Sequence, residues 1–272
     1  MRRLPPLNLL VGATLIGTLM AIAAVSIFWT PFDPLRLQLG LRLQPPSATH
    51  WFGTDEIGRD VLSRLMTASV TSVTIALCTV VIATACGSVV GVISGYSRGW
   101  LDSVLMIFNS ALLAFPGILL ALSIIVIVGP NRYGIITALS LAYFPTVTRV
   151  VRSAVLSIRE REFVEASRVV GNDELYTMFR HVLPNTIAPI AVVATSMFGW
   201  VLLAESALSF IGLGVAPPEP TWGNMLALSR PHMETAWWLG IAPGVCIALT
   251  LLGVNLLGDY LRDRLDPRMV RR

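Results

Sequence analysis

Three groups of residues in this chain have types and spacings that could do chemistry. Glu205 stands alone inside a long apolar run. Asp55, Glu56 and Asp60 crowd around Arg59. The stretch "EFVEASRVVGNDELYTMFRHVLPN", residues 162–185, breaks a very apolar chain with mixed charge. An acid inside a membrane segment is a functional candidate, as a proton relay or cation ligand. For a lone Glu205, a bond to a neighbouring helix or a protonated carboxyl near the outer interface is the better reading. The acidic trio could hold a cation, but acids at a helix start beside an arginine serve first as caps and ion-pair partners. No metal is assigned there.

Nothing in the sequence assembles a catalytic centre. There is no Ser–His pair, no H-E-x-x-H and no pair of intramembrane aspartates, and His50, His181 and His232 all fall outside the apolar runs. Cys78, Cys86 and Cys246 fall inside them, too scattered for a disulfide framework or a zinc site, and read as packing residues. All 20 basic residues are arginine. A Walker A loop needs a lysine on the nucleotide phosphates, so any ATP must be bound by a different subunit. The chain reads as a non-enzyme with no cofactor of its own.

The elements that position these residues are membrane spans. Hydrophobic residues make up 54% of the chain, charged ones 13%, and the mean hydropathy is +0.72. A soluble domain of this size would need more charge to cover its surface. Charge-free runs cover 4–32, 65–97, 103–131, 133–148, 182–204 and 235–258. A spanning helix needs roughly 20 apolar residues. Five runs are long enough, and the short one extends past Arg149 if that side chain snorkels. The expectation is an all-α polytopic protein with six transmembrane helices, the first retained rather than cleaved as a signal peptide.

Of the 20 arginines, 14 fall on the side of the termini if both lie in the cytoplasm, which the positive-inside rule favours. The sequence pI near 9.3 then follows from topology and implies no nucleic acid. The reading divides the chain into an N-terminal end with the first helix (1–30), an extracytoplasmic segment (31–66), a five-helix domain (67–260) with a cytoplasmic loop (149–184), and a cytoplasmic tail (261–272).

Local signals add detail. Gly53 as a turn, Thr54 or Asp55 as an N-cap, and Ile57, Val61, Leu62 and Leu65 at helical spacing predict a short amphipathic helix on the outer surface. Pro116 and Gly117 predict a kink in the third span. Trp222, Trp237 and Trp238 suit the membrane–water interface, and Trp222 could instead cap an outer vestibule. Pro116, Glu205 and Trp222 are thus the candidates for a pathway or gate. In the loop, Phe163, Ala166 and Val170 share one helical face, Gly171 sits where a helix ends left-handed, and Asn172 and Asp173 can cap a second helix. That second helix would carry Leu175, Met178, Phe179 and Val182 on one face, with Pro184 opening the fifth span. Charges of both signs suit a protein groove better than an acidic lipid surface.

These motifs resemble a known family. "EASRVVG", nine residues, then "HVLP" is similar to the E-A-A-x-x-x-G-x9-I-x-L-P loop of binding-protein-dependent ABC importer permeases. Glu165, Ala166, Gly171, Leu183 and Pro184 match it. Ser167 replaces the second alanine and His181 the usual isoleucine. "HWFGTDEIGRDVLSRL", "ESALSFIGLGVAPPEPTWG", "FRHVLPN" and "LRDRLDPR" resemble the dipeptide/oligopeptide/nickel branch, the second permease of its pair.

The resemblance implies a type I ABC importer permease fold in a bacterial inner membrane. It also implies a second homologous permease, two ATPase subunits that bind ATP and Mg, and an extracytoplasmic solute-binding protein. Residues from Ser157 to Gly171 would form the coupling helix seated in an ATPase cleft, with Glu165 and Arg168 as polar handles. Di- or oligopeptides are the first expectation for the solute, and nickel or a metallophore the alternative. A channel or ion-coupled carrier would need charged rings, internal repeats or several membrane carboxylates, and only Glu205 comes near.

Overall fold

The computed structural model describes residues 6–97 and 99–265. Arginines 2, 3, 98, 268, 271 and 272, part of the orientation argument, and Pro267 lie outside the described residues. The architecture follows from the apolar runs, because a backbone in hydrocarbon can satisfy its polar groups only within a helix or a closed barrel. Helix α1 spans Leu7–Phe28, α2 Val61–Ser97, α5 Arg132–Ile158 and α10 Trp238–Leu265. A fifth helical path runs from Glu174 to Phe210.

The third predicted span is two helices. These are α3 (Gly99–Ala114) and α4 (Gly117–Val128), bent by 91°. Proline has no amide hydrogen and its ring clashes with the preceding turn, so Pro116 starts α4 afresh and the expected kink becomes a break. Counting that pair as one crossing gives six.

The tightest contact in the bundle is the crossing of α2 and α5. Gly87, Gly91 and Gly95 recur every four residues and therefore line one stripe of α2. Opposite them lie Val147, Val151 and Val155, all buried. A methyl on Gly91 would fall 2.7 Å from the Thr148 carbonyl oxygen and 2.8 Å from Val151 Cβ; one on Gly87 would fall 2.6 Å from Val147 Cβ. Small residues let membrane helices approach to backbone contact, where close packing supplies the attraction that lipid tails cannot. Around this seam, α4 and α8 (Leu183–Phe210) complete the main core through Ile125, Met197 and Leu208. A second core gathers Trp222, Trp238 and Leu202 at the outer end, with α9 (Trp222–Ser229).

The outer segment differs from expectation. Residues 54–60 form a tight loop closed by a bridge between Thr54 and Asp60, and α2 begins only at Val61. Asp55 is a loop hub: its carboxylate accepts from the amides of Ile57 and Arg59 at 3.0 and 2.9 Å and from Arg59 Nε at 2.6 Å. Asp60 is the residue that caps α2, accepting from the Ser63 amide at 2.8 Å while its other oxygen meets His50 Nδ1 at 2.8 Å. Gly58, at φ +79°, cannot sit in a helix. Turn chemistry therefore defeats the helical spacing of Ile57, Val61, Leu62 and Leu65, and no amphipathic surface helix forms.

The seam yields a direct test. Gly91→Val drives a branched side chain into backbone, and overpacking of this kind costs about 1–3 kcal/mol or more. Detergent-solubilised Gly91→Val should lose its monodisperse peak and melt well below the parent. Gly117→Ala, at a position with open space around it, should melt like the parent.

Candidate coupling element and membrane carboxylate

The loop at 159–183 builds itself from local chemistry. Helix α6 (Glu162–Val169) opens with Glu162 and Glu165 in its first turn and carries Arg168 in its last, the charge order that a helix dipole favours. It stops at Gly171, whose φ of +90° is a left-handed conformation costly to any residue with a Cβ. The Gly171 amide donates to the Arg168 carbonyl at 2.9 Å and the Asn172 amide to the Ser167 carbonyl at 3.2 Å, closing a Schellman cap. Asp173 then caps α7 (Glu174–Thr177) by accepting from the Glu174 amide at 2.7 Å.

Pro184 stands in the first turn of α8, as expected, but the helix does not begin afresh there. The chain runs helically from Glu174 into α8 through a widened π turn at Met178–Val182. Proline leaves the carbonyl four residues back without its amide partner, and an extra residue in the turn absorbs the mismatch. The Asn185 side-chain amide donates to the His181 carbonyl at 2.7 Å in the same turn. The second helix is thus the arginine-rich end of the fifth span.

The faces of this element point in opposite directions. Val164 and Ser167 are turned inward. The Ser167 hydroxyl lies 3.0 Å from Thr177 Oγ1 and accepts from Asn172 Nδ2 at 3.1 Å, so its small size and its oxygen are both used. The face read from sequence, Phe163, Ala166 and Val170, is exposed, as are Glu165, Leu175 and Phe179. Val169 and Val170 at the tip are 87% and 80% exposed. Arg168 turns back toward the bundle. Its Nε pairs with Glu174 Oε1 at 3.3 Å, and its guanidinium lies over the Tyr96 ring at 5.8 Å. The hydrogen bonds with Tyr96 hold its pKa above the ordinary arginine value, with the Glu174 carboxylate adding to that and burial opposing it. Leu183 and Pro184 lie at the start of α8, with Leu183 against the main core.

Glu205 is fully buried on α8. Ser209 Oγ, one turn on, donates to its Oε1 at 2.8 Å and lies 3.5 Å from Thr221 Oγ1. Thr221 heads a capping box on α9 with Asn224. The carboxyl thus anchors a polar chain from α8 to α9, while its Oε2 has no hydrogen-bond partner among the described residues. Trp222 is neither at the interface nor over a vestibule. It is completely buried, its amide donating to Ser72 Oγ at 3.1 Å and its indole Nε1 to the Leu65 carbonyl at 3.3 Å, which pins α9 to α2. Trp238 is likewise buried, with Nε1 3.4 Å from the Thr54 carbonyl, whereas Trp237 stays exposed as an interface residue would. Pro116 is exposed at the α3–α4 bend. The three pathway candidates therefore lie apart, in the bend, in α8 and in the outer core.

Sequence reading missed the groups that tie the arginine-rich end together. Arg152 donates to both oxygens of Asp102 at 2.7 Å, and Ser94 also bonds Asp102, joining α2, α3 and α5. Tyr96 bonds Glu174. These partners are 8 to 78 residues apart in sequence, so no local spacing announces them. The glycine stripe at 87, 91 and 95 was legible as a small-x3-small repeat.

The family model described as "Binding-protein-dependent transport system inner membrane component" matches residues 87–271. A putative peptide transport system permease protein of Brucella suis biovar 1 is 40% identical over 252 residues, covering 92% of this chain and 85% of its own. The dipeptide transport system permease protein DppC of Alkalihalophilus pseudofirmus is 40% identical over 260 residues, covering 96% and 86%. Among solved structures, the inward-facing MetNI methionine ABC transporter superposes with a TM-score of 0.63 at 16% identity, over 75% of this chain and 96% of that one. The chain belongs to the binding-protein-dependent transport system inner membrane components, the multi-pass permease subunits of bacterial ABC importers.

Proposed function

We propose that this permease carries di- or oligopeptides inward as one of two paired subunits, and that α6 is the surface that an ATPase subunit grips. The substrate reading rests on relatives named as peptide and dipeptide permeases. The coupling reading rests on one observation above all. A short helix ends in a rigid left-handed cap and presents an uncovered apolar tip, Val169 and Val170, beside charged residues of both signs. Apolar anchors with a charged surround are how a helix seats in a protein groove. Glu165, Ala166 and the Gly171 cap form the outer side of that contact. Ser167, Arg168, Leu183 and Pro184 hold it to the bundle. ATP and Mg belong to the partner ATPases, and an extracytoplasmic binding protein delivers the solute. ATP-driven closure moves α6 and rocks the two permeases between inward-facing and outward-facing states.

Two measurements test this. With cysteine at Val170, the assembled complex should cross-link to an ATPase subunit, and the yield should change with ATP. Gly171→Val forces a branched residue into the left-handed region at a cost of at least about 1–2 kcal/mol. It should insert normally yet lose solute uptake or hydrolyse ATP without solute. Full transport by Gly171→Val with no cross-link at Val170 would discard the coupling surface. Separately, vesicles holding the whole complex and its binding protein should take up a labelled dipeptide only with ATP. ATP-driven uptake of nickel with no peptide uptake would replace the substrate class.

A further inference from the structure

Tyr96 lies in the last turn of α2, next to Gly95, where the glycine seam with α5 ends. Four elements meet around its side chain. Arg159, which caps the end of α5, sets its guanidinium 5.5 Å from the ring centroid and donates from Nη1 to the Tyr96 carbonyl at 2.5 Å and the Gly95 carbonyl at 3.4 Å. Arg168, from the last turn of α6, sets its guanidinium 5.8 Å from the same centroid, with Nη2 3.5 Å from the phenolic oxygen. The Tyr96 hydroxyl donates to Glu174 Oε2, at the first residue of α7. One half-buried ring thus connects α2, α5, α6 and α7. A tyrosine suits the place because its face attracts cations and its hydroxyl donates to a carboxylate.

Beyond the short link to α5 at residues 159–161 and the seat of Val164 in the main core, a push on α6 has two ways into the membrane. One passes along the backbone through α7 into α8, but it crosses the π turn at Met178–Val182. Such turns mark hinges and bends in helices, so part of a displacement is taken up there. The other passes sideways from Arg168 to Tyr96. There α2 is already in backbone contact with α5, and a Cβ on Gly95 would meet the Arg152 carbonyl oxygen at 3.0 Å. The second way crosses no bend in a helix and runs through the side-chain contacts of Arg168 and Tyr96.

We infer that Tyr96 is the positioning residue that delivers motion of α6 to the α2–α5 pair, making that pair the moving wall of the transport cycle. This rests on α6 being the ATPase contact. The ring keeps Arg168 and Glu174 in register with the end of α2, so displacement of α6 by its partner shifts α2 and α5 together.

The test uses the complete complex in proteoliposomes with its second permease, ATPases and binding protein. The readouts are stimulation of ATP hydrolysis by peptide-loaded binding protein, peptide moved per ATP, and cross-linking from cysteine at Val170. Tyr96→Leu should keep cross-linking and membrane abundance but lower stimulation about tenfold, as two cation–ring contacts and a charge-assisted bond are lost. Tyr96→Phe keeps the ring and should lose only about two- to threefold. Arg168→Gln leaves Tyr96 in place and should behave between the two, which carries the test if Tyr96→Leu fails to accumulate. Parental stimulation and stoichiometry in both Tyr96→Phe and Arg168→Gln, or in Tyr96→Leu where it accumulates, overturn the inference. Absent cross-linking from Val170 in an otherwise parental complex would instead remove the contact on which it rests.

Discussion

The close approach of α2 to α5 is the constraint on which the rest of this permease depends. Three glycines at four-residue spacing bring two long helices to backbone contact, with valines filling the grooves between them. Nothing inserted at that crossing can be accommodated by a rotamer change, because the opposing atoms include carbonyl oxygens of Phe144, Thr148 and Arg152. The pair therefore moves as one body or not at all, since packed membrane helices gain their attraction from contact and lose it with separation. Elements that lean on it inherit its position: α4 and α8 through the main core, α3 through Asn109, whose amide donates to the Pro145 carbonyl at 3.2 Å, and the cytoplasmic loop through Tyr96.

The two ends of the bundle handle polarity in opposite ways. At the outer end several charged or titratable groups are buried against partners within the chain, although the Arg132–Glu219 pair is partly open and Glu205 Oε2 and Arg64 Nη1 have no hydrogen-bond partner among the described residues. His50 meets Asp60, Arg59 meets Asp55, and Glu205 meets Ser209. Burying such groups costs less when they find partners, and here Trp222 ties α9 to α2 while Trp238 ties α10 to the loop before α2 at the Thr54 carbonyl. At the arginine-rich end the ion pairs are partly open to water, as in Arg168–Glu174 and Arg152–Asp102. Partly exposed pairs contribute little to stability, about 0–1 kcal/mol each, so they orient elements without freezing them. That suits a frame on one side and a movable element on the other.

The sequence declared the spans because the rule behind them is local: an apolar backbone segment in lipid has few alternatives to a helix. It declared the Gly171 bend for a similar reason, since the cap depends on one glycine and its immediate neighbours. It misdirected the reading wherever a local pattern competed with a longer-range one. Ile57, Val61, Leu62 and Leu65 keep helical spacing, but Asp55 and Asp60 spend their carboxylates on a loop instead. Trp222 carries the composition of an interface residue, yet α2 supplies partners for both its nitrogens from about 150 residues away. Phe163, Ala166 and Val170 were correctly grouped on one face. Which face packs was decided by Ser167 finding Thr177 and Asn172, a contact that no periodicity contains.

The broken third span fits the same division of labour. Pro116 separates α3 from α4 by a right-angled bend, and each half is held by a different part of the frame. Helix α3 is tied near the arginine-rich end by Asp102 to Arg152 and Ser94, and α4 packs Ala121 and Ile125 into the main core. Much of the remaining surface of both halves is apolar and exposed, including Ile107, Phe108, Ile118 and Ile127. A break placed there lets each half keep its own contact with the α2–α5 pair, α3 through Arg152 and α4 through the main core. An unbroken helix would have to tilt as a unit and strip one of those two attachments. The proline thus lets the two halves of one span meet the same helix pair from different directions.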